Sequence, residues 1–335
     1  WDETTQVQDV SSPVAAGRQE SFTIHDLELE TPYFFALKTA DDLSNWSTIS
    51  NVAGATTVAL AQLTHSMRRV GAREGCWSPN GNYLVFRADY TDQYSQELYR
   101  MPAYGGEPTR LSDESRGALR PAWIPGGNQL SFITQGFGVN ELRVVDPTPG
   151  STSFYLMHHD GYKIIDYSWS PDGNQIVYAA YDPDQNQWEQ RKVYLVSLSG
   201  GTPEVLLSDD WLPVWVDWSP LGDQISFTSE QSGNSDIWVI SATGENPTQL
   251  TINLADDTHP AWSPDGDQIA FSSTRSGSYD IWVMSATGEN PTRLTFDENA
   301  EVAPRWSPDG KAISYTGAVQ SGPSWRYDIW VLHLE

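Results

Sequence analysis

The chain has 335 residues, a formal net charge of −25 and one cysteine, Cys76. A field of that sign repels phosphate backbones and anionic head groups, so nucleic acid is excluded as a partner, and one cysteine excludes an intramolecular disulfide framework. No apolar run is long enough for membrane insertion, and 15 Trp with 15 Tyr suit an all-β protein of the cell surface, the extracellular space or the periplasm.

Residues 1–57 read as one unit. Leu27 to Asp41 alternates apolar and polar residues, Ser21-Phe22-Thr23-Ile24 precedes it, and Asn45 to Val52 leads on to Ala55-Thr56-Thr57. Leu27, Thr31 and Tyr33 have the spacing of a tyrosine corner, and the segment resembles the C-terminal half of a fibronectin type III domain. The resemblance implies a partial β-sandwich that holds about four of seven strands. Phe22, Ile24, Phe35 and Leu37 then need cover, either from residues upstream in a longer parent protein or from a neighbouring copy. The second route would make the chain self-assemble head to tail as a filament.

Residues 58–335 form the second unit, and here the sequence repeats. A Trp recurs at 77, 123, 169, 218, 262 and 306. A spacing of about 40–50 residues marks a repeat architecture of helical pairs or of four-stranded propeller blades. The local pattern decides for strands. In the fifth unit Ile269-Ala270-Phe271 and Ile281-Trp282-Val283-Met284 are short β-branched and aromatic runs. Pro264-Asp265-Gly266 and Gly288-Glu289-Asn290-Pro291 supply the turns between them. Each unit reads as strand a ending near the Trp, a tight turn, strand b, a variable loop, strand c, a second tight turn, and strand d ending in Leu-Thr. The sixth unit stops after strand c, and an unassigned Ala61-Gln62-Leu63-Thr64 precedes the first. Pairing these pieces closes a ring of six blades and leaves no open sheet edge at the seam.

The Trp-Ser-Pro-Asp-Gly turn, the Ile-x-Phe strand and the Asp-Ile-Trp-Val strand resemble the blade signature of the TolB-type six-bladed β-propellers. The turn departs from it at Ile124-Pro125-Gly126-Gly127 and at Pro220-Leu221-Gly222. The fold class is therefore an all-β six-bladed β-propeller closed by an N-terminal strand, plus a partial fibronectin type III sandwich. Propellers of this type host binding modules, lyases and peptidase gates, so the fold alone does not choose a function.

Function is expected on the face where the copies differ, the d-to-a loops 64–76, 112–122, 158–168, 209–217, 252–261 and 296–305. Acidic pairs recur there as Asp113-Glu114, Asp209-Asp210, Asp256-Asp257 and Asp297-Glu298. They are candidates for Ca²⁺, which takes oxygen ligands, or for attracting a cationic partner; as solvated turn residues they would do neither. His158, His159 and His259 are candidates for meeting across the funnel as metal ligands or acid/base groups. Trp188, Trp211, Trp215, Trp325 and Tyr162 fall outside the repeat pattern, as flat rings on which sugars or peptide side chains stack. Cys76 reads as a small buried apolar residue beside Trp77. No nucleophile elbow, phosphate loop, zincin motif or Cys cluster is present. The function expected is a non-catalytic extracellular binding or scaffold module whose loop face recognises a protein, peptide or glycan. The alternative is a propeller-type polysaccharide lyase.

Overall fold

The computed structural model describes residues 60–64, 71–90, 96–112, 117–134, 140–184, 190–321 and 324–334, with the backbone of 32–35 and 53–56. The chain divides into two compact units, Trp1–Ala59 and Leu60–Glu335. In the first, strand Pro32–Phe35 pairs antiparallel with Ala53–Thr56, Pro32 opposite Thr56 and Phe35 opposite Ala53. The rest of the fibronectin-like reading, with Leu27, Thr31, Phe22, Ile24 and Leu37, lies outside the described residues.

The second unit is a ring of six four-stranded antiparallel sheets. Their innermost strands are Ala72–Trp77, Ala118–Trp123, Lys163–Trp169, Val214–Trp218, Asp257–Trp262 and Glu301–Trp306, which we number as strand a of blades 1 to 6. Blade 6 is completed by Leu60–Gln62, whose Leu60 and Gln62 face Leu332 and Trp330 of strand c.

The repeated residues explain the repeated shape. After strand a of blade 5, Ser263 Oγ donates to Asp265 Oδ1 at 2.6 Å and accepts the Gln268 N–H at 2.9 Å, while Gly266 takes φ +79°. A serine, an acid or amide and a glycine thus fold the turn from their own side chains. Ser170 with Asp172 and Ser307 with Asp309 repeat the bond at 2.6 Å. In blade 4, Pro220-Leu221-Gly222 keeps the glycine at φ +83°, and Ser219 turns to Asp223 instead.

A second staple joins strands c and d. Asp236 accepts from Thr251 Oγ1 and Gln249 Nε2, both at 3.1 Å, and Thr251 Oγ1 accepts the Ile237 N–H at 2.9 Å. In blade 5 Asp280 pairs with Arg293 at 2.9 Å and Thr295 accepts from Ile281. In blade 6 the same contacts cross the seam: Asp328 accepts from Thr64 Oγ1 and Gln62 Nε2, both at 3.0 Å. The Leu-Thr at the end of strand d is therefore a buried hydrogen-bonding device rather than a hydrophobic marker.

Strands b are buried on both faces because blades stack on either side; Ile269 to Ser273 is fully covered. The apolar core is continuous through the closure. Leu84, Phe86 and Met101 of blade 1 pack in one cluster with Ala312, Ile329 and Val331 of blade 6. Each such large side chain contributes about 1.5–3 kcal/mol when fully buried. Gly71 admits blade 6 at close range, since a Cβ there would lie 2.0 Å from the Tyr327 carbonyl oxygen.

Candidate functional site

Every strand a is broken by a bulge. Pairing with strand b shifts register between Arg73 and Cys76, Leu119 and Ala122, Ile164 and Asp166, Val214 and Asp217, Thr258 and Ala261, and Val302 and Arg305. Bulges re-aim side chains. The residue three before the repeat Trp is Glu74, Arg120, Asp166, Trp215, His259 or Ala303, one from each blade. Five of these six hold a positive φ, between 53° and 57°, without being glycine. Each such residue costs about 1–2 kcal/mol, and backbone strain of this kind clusters at functional sites.

The ring is electrostatically dense. Arg120 donates from Nη1 to Glu74 at 3.3 Å and lies 3.6 Å from Asp166 through Nε, while Arg87 holds Glu74 at 2.8 Å. Burial alone would raise the Glu74 carboxyl, but Arg120 and Arg87 carry it down to about 2. Burial wins at Asp166, whose carboxyl is raised with Arg120 opposing. The Arg120 guanidinium sits 4.0 Å from the Trp215 ring centroid, and His259 stacks on the same indole at 4.2 Å. Burial, with Arg120 and Arg305 adding to it, holds His259 well below its usual range, so the ring is neutral at pH 7.

The carboxylates also tie neighbouring blades together. Glu74 accepts the Arg120 N–H, Asp166 the Val216 N–H and Asp217 the Trp262 N–H, at 2.9, 2.9 and 2.8 Å. Asp217, one residue before its Trp, is pushed up to about 6 by burial, against the pull of Arg305.

A cavity of about 310 Å³ runs from this level to the turns at Pro125 and Pro308, lined by Glu74, Arg120, Asp166, Asp217, Arg305 and Cys76 among others. Cys76 is half-buried against this cavity rather than wholly in the core, and burial pushes its thiol up to about 12, which makes it a poor nucleophile.

The residues singled out in the sequence disperse. Trp215 and His259 come together at the axis, on strand a rather than in a loop. His158 ends the outermost strand of blade 2, Phe154–His158, and bonds Tyr155 and Asp160, both at 2.6 Å. His159 is enclosed by Tyr162, which stacks on it at 4.3 Å, and by Tyr178 and Tyr194. The three histidines therefore do not converge; His259 meets Trp215, and the other two have separate partners. Trp211 packs on Phe227 and Trp238. Trp325 is half-exposed on the long strand Ser324–His333, and Trp188 lies outside the described residues.

The acidic pairs do not form a common ring either. Asp209 and Asp210 open a short 3₁₀ turn, with Lys192 4.0 Å from Asp209. Asp257 is buried against Arg275 at 2.8 Å while its neighbour Asp256 accepts the Ser235 N–H. Asp297 and Glu298 are exposed, and Asp113 and Glu114 lie outside the described residues. Among the described residues no three His, Cys, Asp or Glu side chains are grouped so as to hold a metal ion. No helix among them is long and apolar enough to cross a membrane.

Fold and axis together define a six-bladed propeller with a built central channel. The family model for the TolB beta propeller domain matches residues 140–329, more than half the chain, and the chain belongs to that family. Dipeptidyl-peptidase 5 of Porphyromonas endodontalis is 27% identical over 166 residues, covering 48% of this chain and 24% of that protein. The chain thus spans about a quarter of that relative's length. The structure of putative TolB from Agrobacterium tumefaciens superposes with a TM-score of 0.61 at 21% identity, over 79% of this chain and 90% of that one. An oligogalacturonate lyase from Vibrio parahaemolyticus gives 0.54 at 12% identity, over 92% and 99%. At these identities the structural likeness establishes the fold.

Sequence reasoning missed Glu74, Arg120, Asp166, Asp217 and Arg305. A signal was present: aligned on the repeat Trp, the column three residues upstream reads Glu, Arg, Asp, Trp, His, Ala, with no residue used twice. Variation inside a strand, where packing should impose sameness, marks that column as strongly as variation marks a loop.

Proposed function

We propose that this propeller is a non-catalytic binding module that recognises a protein or peptide segment at its axis. The observation that carries the reading is the set of five left-handed, non-glycine residues with unlike side chains at one place of strand a around the ring, of which Glu74, Arg120 and Ala303 line the axial cavity while Trp215 stacks between Arg120 and His259. A scaffold with no ligand to bind would relax such positions to glycine at little cost. The stacked Trp215 and His259 offer a flat surface, and Arg120, Glu74 and Asp166 offer fixed charge around it. Ion pairs held in this way orient a partner more than they add affinity. The same proposal takes the chain to be extracellular or periplasmic, with residues 1–57 as a fibronectin-like spacer.

Peptides selected by display against the full chain test this. Their affinity is expected to fall about tenfold or more in Trp215→Ala and in Arg120→Ala, a loss typical of interface anchors. It should be unchanged in Tyr104→Ala, an exposed residue on the outside of blade 1. Selected peptides that bind both axial variants as tightly as wild type would refute it.

A further inference from the structure

Arg305, one residue before the repeat Trp of blade 6, lines the axial cavity. It differs from the other arginines around that space. Arg120 is held by Glu74 and Asp166, and Arg87 by Glu74. Among the described residues the Arg305 guanidinium makes one hydrogen bond, from Nη1 to the Pro304 carbonyl at 3.0 Å, and no ion pair. Its charge still reaches Asp166 on blade 3 and Asp217 on blade 4, lowering both carboxyls against their burial. Arg305 is therefore central, charged and short of acceptors.

The acceptors opposite are already engaged. Asp217 takes Ser168 Oγ at 3.3 Å and the Trp262 N–H at 2.8 Å; Asp166 takes the Val216 N–H and faces Arg120; Glu74 takes the Arg120 N–H and two guanidiniums. What the cavity has left over is donor capacity. A second donor adds to it, because the Trp123 indole N–H lines the same cavity, is buried and has no acceptor. Of its counterparts, Trp77, Trp169 and Trp306 donate to the Arg305 carbonyl, Ser131 Oγ and the Ala261 carbonyl, at 3.1, 2.8 and 3.2 Å; Trp218 and Trp262 also lack an acceptor, but they do not line the cavity.

Buried donors without acceptors are costly to leave so, and a guanidinium presents a planar fork that matches a carboxylate. Charge selects the same group. Glu74, Asp166 and Asp217 line the cavity with Arg120 and Arg305, and Arg87 adds a third cation behind Glu74; a dianionic phosphate would bring more negative charge toward Asp166 and Asp217 than the Arg305 guanidinium offsets. We infer that the axial cavity is a carboxylate-binding site anchored by Arg305. The inference rests on the binding-module reading and supplies the chemical class of its ligand. A volume of about 310 Å³ admits a carboxylate with a short chain attached, either a free organic acid or the last residues of a polypeptide.

Isothermal titration of the full chain with succinate, and with N-acetyl-tetraalanine as its free acid and as its C-terminal amide, tests it. Binding of succinate alone assigns the source to free organic acids; binding of the peptide acid but not the amide assigns it to a chain terminus, and both support the site. Arg305→Gln should weaken binding by about tenfold to a hundredfold, the worth of a charge-assisted pair. Arg305→Lys keeps the charge without the fork and should lose less; it also covers the case in which the Gln variant fails to fold, which the unfolding midpoint reports. No binding of any carboxylate to wild type overturns the inference. So does competition by chloride as effective as that by acetate, or equal affinity in Arg305→Gln. An amide that binds wild type and Arg305→Gln alike, and is lost in Trp215→Ala, removes the carboxylate and leaves the binding module standing.

Discussion

Asp236, Asp280 and Asp328 occupy one place in blades 4, 5 and 6 and make the same contacts, each with the residues that end strand d. Glu74, Arg120, Asp166, Trp215, His259 and Ala303 also occupy one place in six blades, yet differ in charge, size and partners. In these three blades the outer column is repeated because each needs its last strand fixed. The inner column varies because only one channel exists, and six copies surround it with six different groups. Sameness among copies therefore reports architecture, and difference reports use.

If the outer column is architectural, its removal should cost most where the ring closes. Asp328→Ala leaves Arg326, 3.2 Å away, without its buried partner and loosens Leu60–Gln62, so a loss of about 3–5 kcal/mol is expected. Asp236→Ala in blade 4 removes hydrogen bonds within a contiguous blade and should cost about 1–3 kcal/mol. Calorimetric midpoints that are equal for the two would remove the special status of the seam.

A second contrast is one of pH. On the axis, Glu74 titrates near 2 when folded against 4.5 unfolded, so its contribution is present above about pH 4.5 and lost as pH falls toward 2. Glu301 opens strand a of blade 6 and, among the described residues, has no arginine of the kind Asp257 has in blade 5. Burial pushes it up to about 8, so the folded chain keeps a proton that the unfolded chain releases near 4.5. Stability from this group is full below about pH 4.5 and falls as pH rises through 8, by a few kcal/mol in order of magnitude. Glu301→Gln should flatten that decline and be the more stable protein at pH 8, as urea midpoints at pH 5 and pH 8 would show. A variant that declines with pH as wild type does would sink the assignment.

The smallest effect sharpens the inner column. Ala303 carries the left-handed backbone of the ring, φ 57°, with no functional side chain. Ala303→Gly removes a strain of about 1–2 kcal/mol and adds about 0.5–1 kcal/mol of unfolded-state entropy, so stability should rise by up to about 1 kcal/mol. A clear loss of stability would mean that the bulge is not strained.

The repeat Trp in six copies, the Ser-x-Asp-Gly turn in three of them and the incomplete pieces at the two ends of the array made the blade count and the closing strand legible, because each follows a local rule. The axis was legible only in part. Trp215 and His259 were visible as departures from the pattern, but reading them as loop residues passes over a signature of the bulge, since the next position in strand a is Gly75, Pro121, Pro260 or Pro304 in four of the six blades. Arg305 and Asp217 were hidden by position, standing beside the Trp that identifies the repeat. The acidic pairs misled for the opposite reason: they recur in sequence, yet Asp257 turns into the sheet to meet Arg275 while Asp297 stays in solvent.

The seam at Leu60–Gln62 has a consequence in time. The closing strand is synthesised first and its partner, Ser324–His333, some 260 residues later. At ordinary elongation rates that is a wait of roughly 10–50 s, during which five blades can form and the sixth cannot. The entropy of bringing the two ends together grows only with the logarithm of their separation, so delay rather than distance is the hazard. A closing strand of three residues is too short to template pairing with a neighbouring nascent chain, and its brevity protects the ring until the last blade arrives.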